Sequence, residues 1–197
     1  MGSSQQASGV QVREIGNPQI LSNNNSSNKA NNDPVVWFQI LNYIFSEIYL
    51  MYPTICCLQE THLIERDTHR LKVKGWEKTY HAHRHSKKAR VSILISDNVD
   101  FKPKLVRRDK EGHFILLKGC INQQDITIIN IYAPNIGSST YVKQILLNSR
   151  SQIEHTTIIL GNFNTPLSTL DRSSKQKLNK ETIDLNNTIN NLDLTDI

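Results

Sequence analysis

Polar and apolar positions divide the chain near residue 33. Ahead of that point Asn17, Asn23, Asn24, Asn25, Asn28, Asn31 and Asn32 cluster with Ser22, Ser26 and Ser27, and no apolar periodicity runs among them. A segment of this kind buries too little surface to offset its chain entropy, so residues 1–33 are expected to form a disordered Asn/Ser-rich leader. From Pro34 to Met51 the chain turns strongly apolar, while Gln39, Asn42, Ser46 and Glu47 fall near one face at helical spacing. Asp33-Pro34 reads as a helix cap and first turn, and Tyr52-Pro53 as a stop. Two readings of this helix stay open, a largely buried core element and a membrane-associated one. A span needs about 20 apolar residues. This run is shorter and carries Glu47, so no membrane partner is expected.

Short apolar and β-branched runs follow. Strands are expected over 54–59, 76–83, 91–96, 114–119, 126–132 and 156–160. Residues 62–74 read as a short polar helix or loop, and 81–90 as a basic loop. Val142, Ile145, Leu146 and Ile153 recur at helical spacing, which predicts a helix over 141–153. A second, weakly amphipathic helix is expected over 175–192. The order of elements gives one mixed α/β layered domain over residues 34–197.

Composition narrows the class. Of 197 residues, 38% are hydrophobic and 21% are charged, which excludes a chain disordered throughout. Gly 8, Pro 6 and Cys 3 exclude collagen-like and disulfide-scaffold readings. Cys56 and Cys57 are neighbours and make a poor disulfide framework, which points to a reducing compartment, nucleus or cytoplasm. They lie in an expected core strand and read as packing residues. The first residues are polar, so no secretory signal is read, and Gln6 does not match a myristoylation motif. A net charge of +5 permits a polyanionic partner.

Three apolar strands end in polar residues that share the chemistry of a site: Leu58-Gln59-Glu60-Thr61-His62, Ile131-Tyr132-Ala133-Pro134-Asn135 and Leu160-Gly161-Asn162-Phe163-Asn164. Sites in layered α/β proteins form where strand ends meet loops. Glu60 offers a hard oxygen ligand, and Tyr and Asn offer neutral donors to phosphate oxygens. These motifs, with Ile129–Asn135 and Gly161–Leu167, resemble the endonuclease domain of LINE retrotransposon reverse transcriptases. That family belongs to the exonuclease–endonuclease–phosphatase superfamily. Arg66–Leu71, Arg108–His113 and Leu170–Ser173 look like the same element, so the resemblance is dense from about Thr54 onward.

The resemblance implies a partial four-layer α/β sandwich of the endonuclease/exonuclease/phosphatase type. It also implies a DNA partner and Mg²⁺-dependent nicking of one DNA strand. Carried over residue by residue, Glu60 would hold the metal, Tyr132 would donate to the phosphate and Asn164 would hold a phosphate oxygen. Asn162 stands where the family's Gly-Asp-Phe-Asn motif has the Asp that orients or deprotonates the attacking water. Three further departures are read. No first-strand Asn is recognised, the terminal Asp and His of the family's Ser-Asp-His segment find no counterpart, and Arg90 replaces a Gly. The resemblance thus implies a truncated domain with a replaced N-terminus and a vestigial site without cleavage. Residual Mg²⁺-dependent nicking and a DNA-binding remnant are the alternatives.

Other clusters have a plainer reading beside the chemical one. His81, His83 and His85 alternate and on a strand would share a face fit for a transition metal; an exposed basic loop is the competing reading. Arg84, Lys87, Lys88, Arg90, Arg107 and Arg108 are candidate contacts to DNA phosphates. Part of a two-sheet sandwich leaves an apolar face open, which the 34–51 helix or a partner would cover.

Overall fold

The computed structural model of the chain describes residues 10–14, 54–63, 73–82, 89–167 and 179–196. Among the described residues nine strands run in chain order: β1 (Val10–Glu14), β2 (Ile55–Leu63), β3 (Lys78–His81), β4 (Ala89–Ile95), β5 (Phe101–Arg108), β6 (Phe114–Ile121), β7 (Gln124–Tyr132), β8 (Thr157–Asn162) and β9 (Leu194–Asp196). Helix α1 (Ser138–Asn148) lies between β7 and β8, and α2 (Lys180–Asn191) precedes β9. The strands form a six-stranded sheet of order β5-β6-β7-β8-β1-β9 and a three-stranded sheet of order β2-β4-β3.

Alternation assigns each face. On β6, β7 and β8, Leu116, Ile129, Ile131 and Ile159 pack with Val142, Ile145 and Leu146 of α1 and Leu185 of α2. The intervening Ile115, Leu117, Ile128 and Leu160 pack with Val91, Ile93 and Ile95 of β4. A period of two along buried strands thus feeds both layers at once. Beyond the smaller sheet, Cys56, Trp76 and Leu94 make a third cluster. Asn179 caps α2, its side chain accepting from the Thr182 N–H at 2.7 Å. This is the mixed α/β, two-sheet arrangement expected from the motifs.

Several elements differ from the sequence reading. Phe101–Arg108 is a strand that was not expected. It is the edge of the larger sheet, mostly exposed, so the apolar alternation that marks a strand is missing. Pro103, which has no N–H to donate, sits at a register shift against β6. Five residues of the expected leader, Val10–Glu14, form β1, running parallel between β8 and β9. Two valines in alternation carry that strand within an otherwise polar stretch. The rest of the leader and all of Pro34–Met51 lie outside the described residues. No helix among the described residues is long and apolar enough to cross a membrane.

The adjacent cysteines sit in β2, Cys56 buried and Cys57 half-buried. Burial pushes the Cys56 thiol up to about 11, and burial together with Cys56 pushes Cys57 higher still. The thiolate is the reactive form, so at pH 8 Cys56 should react with a disulfide reagent about a hundredfold more slowly than an ordinary thiol, and Cys57 more slowly still. Titration of the folded protein with such a reagent is expected to show one fast thiol, Cys120. The other two should follow only after denaturant is added, and three fast thiols in the native protein would contradict this packing.

Candidate functional site at the strand ends

Parallel pairing sets the centre of the site. β7 and β8 run side by side with Tyr132 in register with Asn162, and Ile131 with Gly161. Both Tyr132 and Asn162 fall on the face that meets the smaller sheet, in phase with Ile128, Asn130 and Leu160. Asn162 directs its amide oxygen back along its own chain, where Oδ1 accepts from the Asn164 N–H at 2.9 Å. Asn164 has φ 49, a left-handed turn that Asn tolerates. Its Nδ2 donates to the Ala133 carbonyl at 2.5 Å, and its own carbonyl accepts from Ser138 Oγ at 2.9 Å. Both amides are thus part of the strand-end turn.

Glu60 reaches this centre through an irregularity. Strict alternation would send it outward with Cys56 and Leu58. Instead Glu60 has φ 52, in the segment where β2 shifts register against β4. Bulges of this kind re-aim side chains beside functional sites. Burial first, then the hydrogen bond and negative charge of Glu60, raise the Tyr132 phenol above its ordinary value; Arg90 opposes that shift. The Arg90 guanidinium stands over the Tyr132 ring, 5.9 Å from its centroid.

Four further residues join the site. The His113 ring stacks on Tyr132, with centroids 6.3 Å apart and planes 12° from parallel. Its Nδ1 lies 2.8 Å from the Tyr132 carbonyl, so the N–H sits on Nδ1. Asp109 accepts from the His113 backbone N–H at 3.1 Å and from the Tyr141 hydroxyl at 3.2 Å. Burial, and then the charge of Asp109, push the Tyr141 phenol well up. Beneath lies Asn130, fully buried, a polar residue inside the apolar run Ile128–Ile131. It donates to the Leu58 and Ser92 carbonyls at 3.1 and 3.0 Å and accepts from Gln59 at 3.2 Å. Asn130 thereby ties β7 to both β2 and β4, and so fixes the two sheets that carry Tyr132 and Glu60. The cues in sequence are that break in an apolar strand and its place in the motif Ile129–Asn135.

The remaining candidates divide. Arg107 donates to the Asn148 carbonyl at 3.0 Å and lies over the Phe114 ring, and Arg108 donates to the His81 carbonyl at 2.8 Å. Together with Asp109, Tyr141 and Gln144 they line a cleft of about 310 Å³. Arg84, Lys87, Lys88, His83 and His85 lie outside the described residues. His81 is buried, with Nδ1 2.8 Å from Ser92 Oγ, and takes part in the hydrogen bonding of the smaller sheet.

The Mg²⁺ implied by the resemblance has a poor donor set here. Among the described residues no group of three or more His, Cys, Asp or Glu side chains comes together to hold a metal ion. Glu60 is the carboxylate of the strand-end site, the neighbouring position is the amide of Asn162, and a guanidinium stands beside them. Mg²⁺ is ordinarily held by one or two carboxylates with substrate phosphates and waters, in near-ideal octahedral geometry. Glu60 supplies the minimum of one carboxylate, but a neutral amide engaged in a turn adds no second ligand, and a guanidinium close by opposes the charge of a metal.

No family model matches the chain. Solved structures do. The endonuclease domain of TRAS1, a telomere-specific non-LTR retrotransposon, aligns with a TM-score of 0.54 at 14% identity, over 80% of this chain and 64% of that one. TDP2 from Caenorhabditis elegans aligns with a TM-score of 0.53 at 15% identity, over 77% and 49%. A beta toxin from Staphylococcus aureus aligns with a TM-score of 0.54 at 13% identity, over 78% and 64%. The chain spans about half to two-thirds of the length of these structures. Its fold is that of these solved structures, mixed α/β with two sheets. Among its structural neighbours is the LINE-type endonuclease domain that the strand-end motifs resemble.

Proposed function

We propose that the chain is an endonuclease-like protein that holds DNA phosphates at its strand ends without cleaving them. One observation carries the reading. The position facing Tyr132 is the amide of Asn162, whose oxygen is taken up by the Asn164 N–H. Hydrolysis of a phosphodiester requires a group that orients a water and takes its proton. An amide has nearly the shape of a carboxylate, but it accepts no proton at neutral pH and carries no charge. Losing a positioned base lowers a rate by about 10²–10⁴, and more where site residues act as a unit. Tyr132 and Glu60 are still present at the strand ends, which supports binding without the water-activating group.

Supercoiled-plasmid nicking tests this. With Mg²⁺ present the protein is expected to give no more nicked circle than buffer does. EDTA-sensitive nicking that disappears in Glu60→Ala would overturn the reading and favour a residual Mg²⁺-dependent endonuclease. DNA binding is supported by the exposed Arg90 and by the net charge of +5. A structural neighbour, TDP2 from D. rerio (TM-score 0.51, 11% identity), is solved in complex with a single-strand DNA product. Phosphate contacts weaken linearly with the logarithm of salt. A gel shift is therefore expected at low salt and lost as salt rises; no shift at low salt would contradict binding.

A further inference from the structure

We propose that Arg90 takes over the charge role of a metal ion at this site, its guanidinium seating a backbone phosphate of DNA over the Tyr132 ring. The inference rests on the reading that the strand ends bind DNA, and it names the group that does so. Arg90 is exposed, so its head is open to a ligand. Its backbone is fixed at the start of β4, where the N–H donates to the Gly112 carbonyl at 3.3 Å. Its guanidinium lies 5.9 Å from the centroid of the Tyr132 ring. The N–H groups of a guanidinium are the donors that grip phosphate in pairs. Arg107 and Arg108 differ, since each already donates to a carbonyl of this chain.

The surroundings select an anion that brings its own acceptors. The negative charge of Glu60 acts on Tyr132, and His113 stacks on Tyr132 with its N–H committed to a carbonyl. A cation entering here meets a fixed positive charge and one carboxylate. A phosphate meets a guanidinium. Divalent metal is therefore not needed for binding, which separates this site from one that grips DNA through a bound ion.

Fluorescence anisotropy of a labelled single-stranded oligonucleotide, titrated across a NaCl series in EDTA and in MgCl₂, tests the proposal. Wild-type affinity in EDTA is expected to equal or exceed that in MgCl₂. Arg90→Gln is expected to weaken binding about tenfold and to reduce the salt slope by about one phosphate contact. Arg90→Lys, which keeps the charge and loses the fork, should fall between them. Lys102→Gln removes the same charge from the far end of β5 and should stay within about twofold of wild type. Equal melting temperatures of the Arg90 variants and wild type would exclude misfolding as the cause. Binding seen only with MgCl₂, or Arg90→Gln matching wild type, would overturn the role of Arg90 while leaving DNA binding intact. Absence of any wild-type binding at low salt would overturn DNA binding itself and this proposal with it.

Discussion

Gly161→Ala is expected to destabilise the protein by about 3–5 kcal/mol, among the largest effects a single methyl group can have. Gly161 has φ 142, a conformation that side chains rarely adopt, and a Cβ built on it would lie 1.8 Å from the Ile131 carbonyl oxygen and 2.9 Å from Gln59 Nε2. The first obstacle is backbone of the neighbouring strand and cannot rotate away. Relief would require β7 and β8 to separate where Ile131 faces Gly161 and Tyr132 faces Asn162. Domains of this size are ordinarily stable by about 5–15 kcal/mol, so the loss consumes much of the total. Urea denaturation followed by circular dichroism should show a midpoint shifted strongly downward, or no cooperative transition at all. A midpoint within error of wild type would mean that the close approach of these strands is not as described.

The same glycine shows what the sequence makes legible. Gly161 stands in the motif Gly161-Asn162-Phe163-Asn164, and that motif, with those around Glu60 and Tyr132, was enough to place the strand ends and to suggest the superfamily fold. Strands buried on both faces, such as Ile126–Tyr132, announce themselves by apolar runs. Edge strands do not. Phe101–Arg108 spends most of its side chains on solvent and shows no apolar alternation; Val10–Glu14, though an inner strand, is too short to stand out in its polar surroundings. Helix α1 begins three residues before the expected position, because Gly137 at φ 70 permits the chain to enter the helix there and no side-chain cap marks the start.

The site was only partly legible for a different reason. Glu60, Tyr132, Asn162 and Asn164 lie in local motifs. The approach of Arg90 and His113 to Tyr132 depends on how β4 and the β5–β6 connection fold over the strand ends, which local spacing does not encode. The turn of Glu60 toward Tyr132 depends on a bulge in β2, and strict alternation would have sent it the other way. What reads as a vestigial cutting site in sequence acquires, in three dimensions, a positively charged neighbour.

The second large effect is expected at Asn130, where Asn130→Asp should cost about 4 kcal/mol or more at neutral pH. The Asn130 Nδ2 donates to two carbonyls, Leu58 at 3.1 Å and Ser92 at 3.0 Å, and its Oδ1 accepts from Gln59. The side chain is fully buried. A carboxylate has no N–H, so both carbonyls would lose their donor and would face a negative charge instead. Burial and those carbonyl dipoles raise the folded-state pKa of the new acid above its unfolded value of about 3.9. Stability is then greatest when the acid is protonated and falls as pH rises through the folded pKa. Denaturation midpoints of Asn130→Asp should therefore improve relative to wild type between pH 7 and pH 5. Asn130→Ala removes the donors without adding charge and should cost about 2–4 kcal/mol with little pH dependence. Both variants matching wild type would show that the two sheets are held by their apolar layer alone. A pH-independent loss in Asn130→Asp would show that the contact depends on shape and not on the donated hydrogen bonds. The expected pattern assigns the register of Glu60 against Tyr132 to a single amide lying between the sheets.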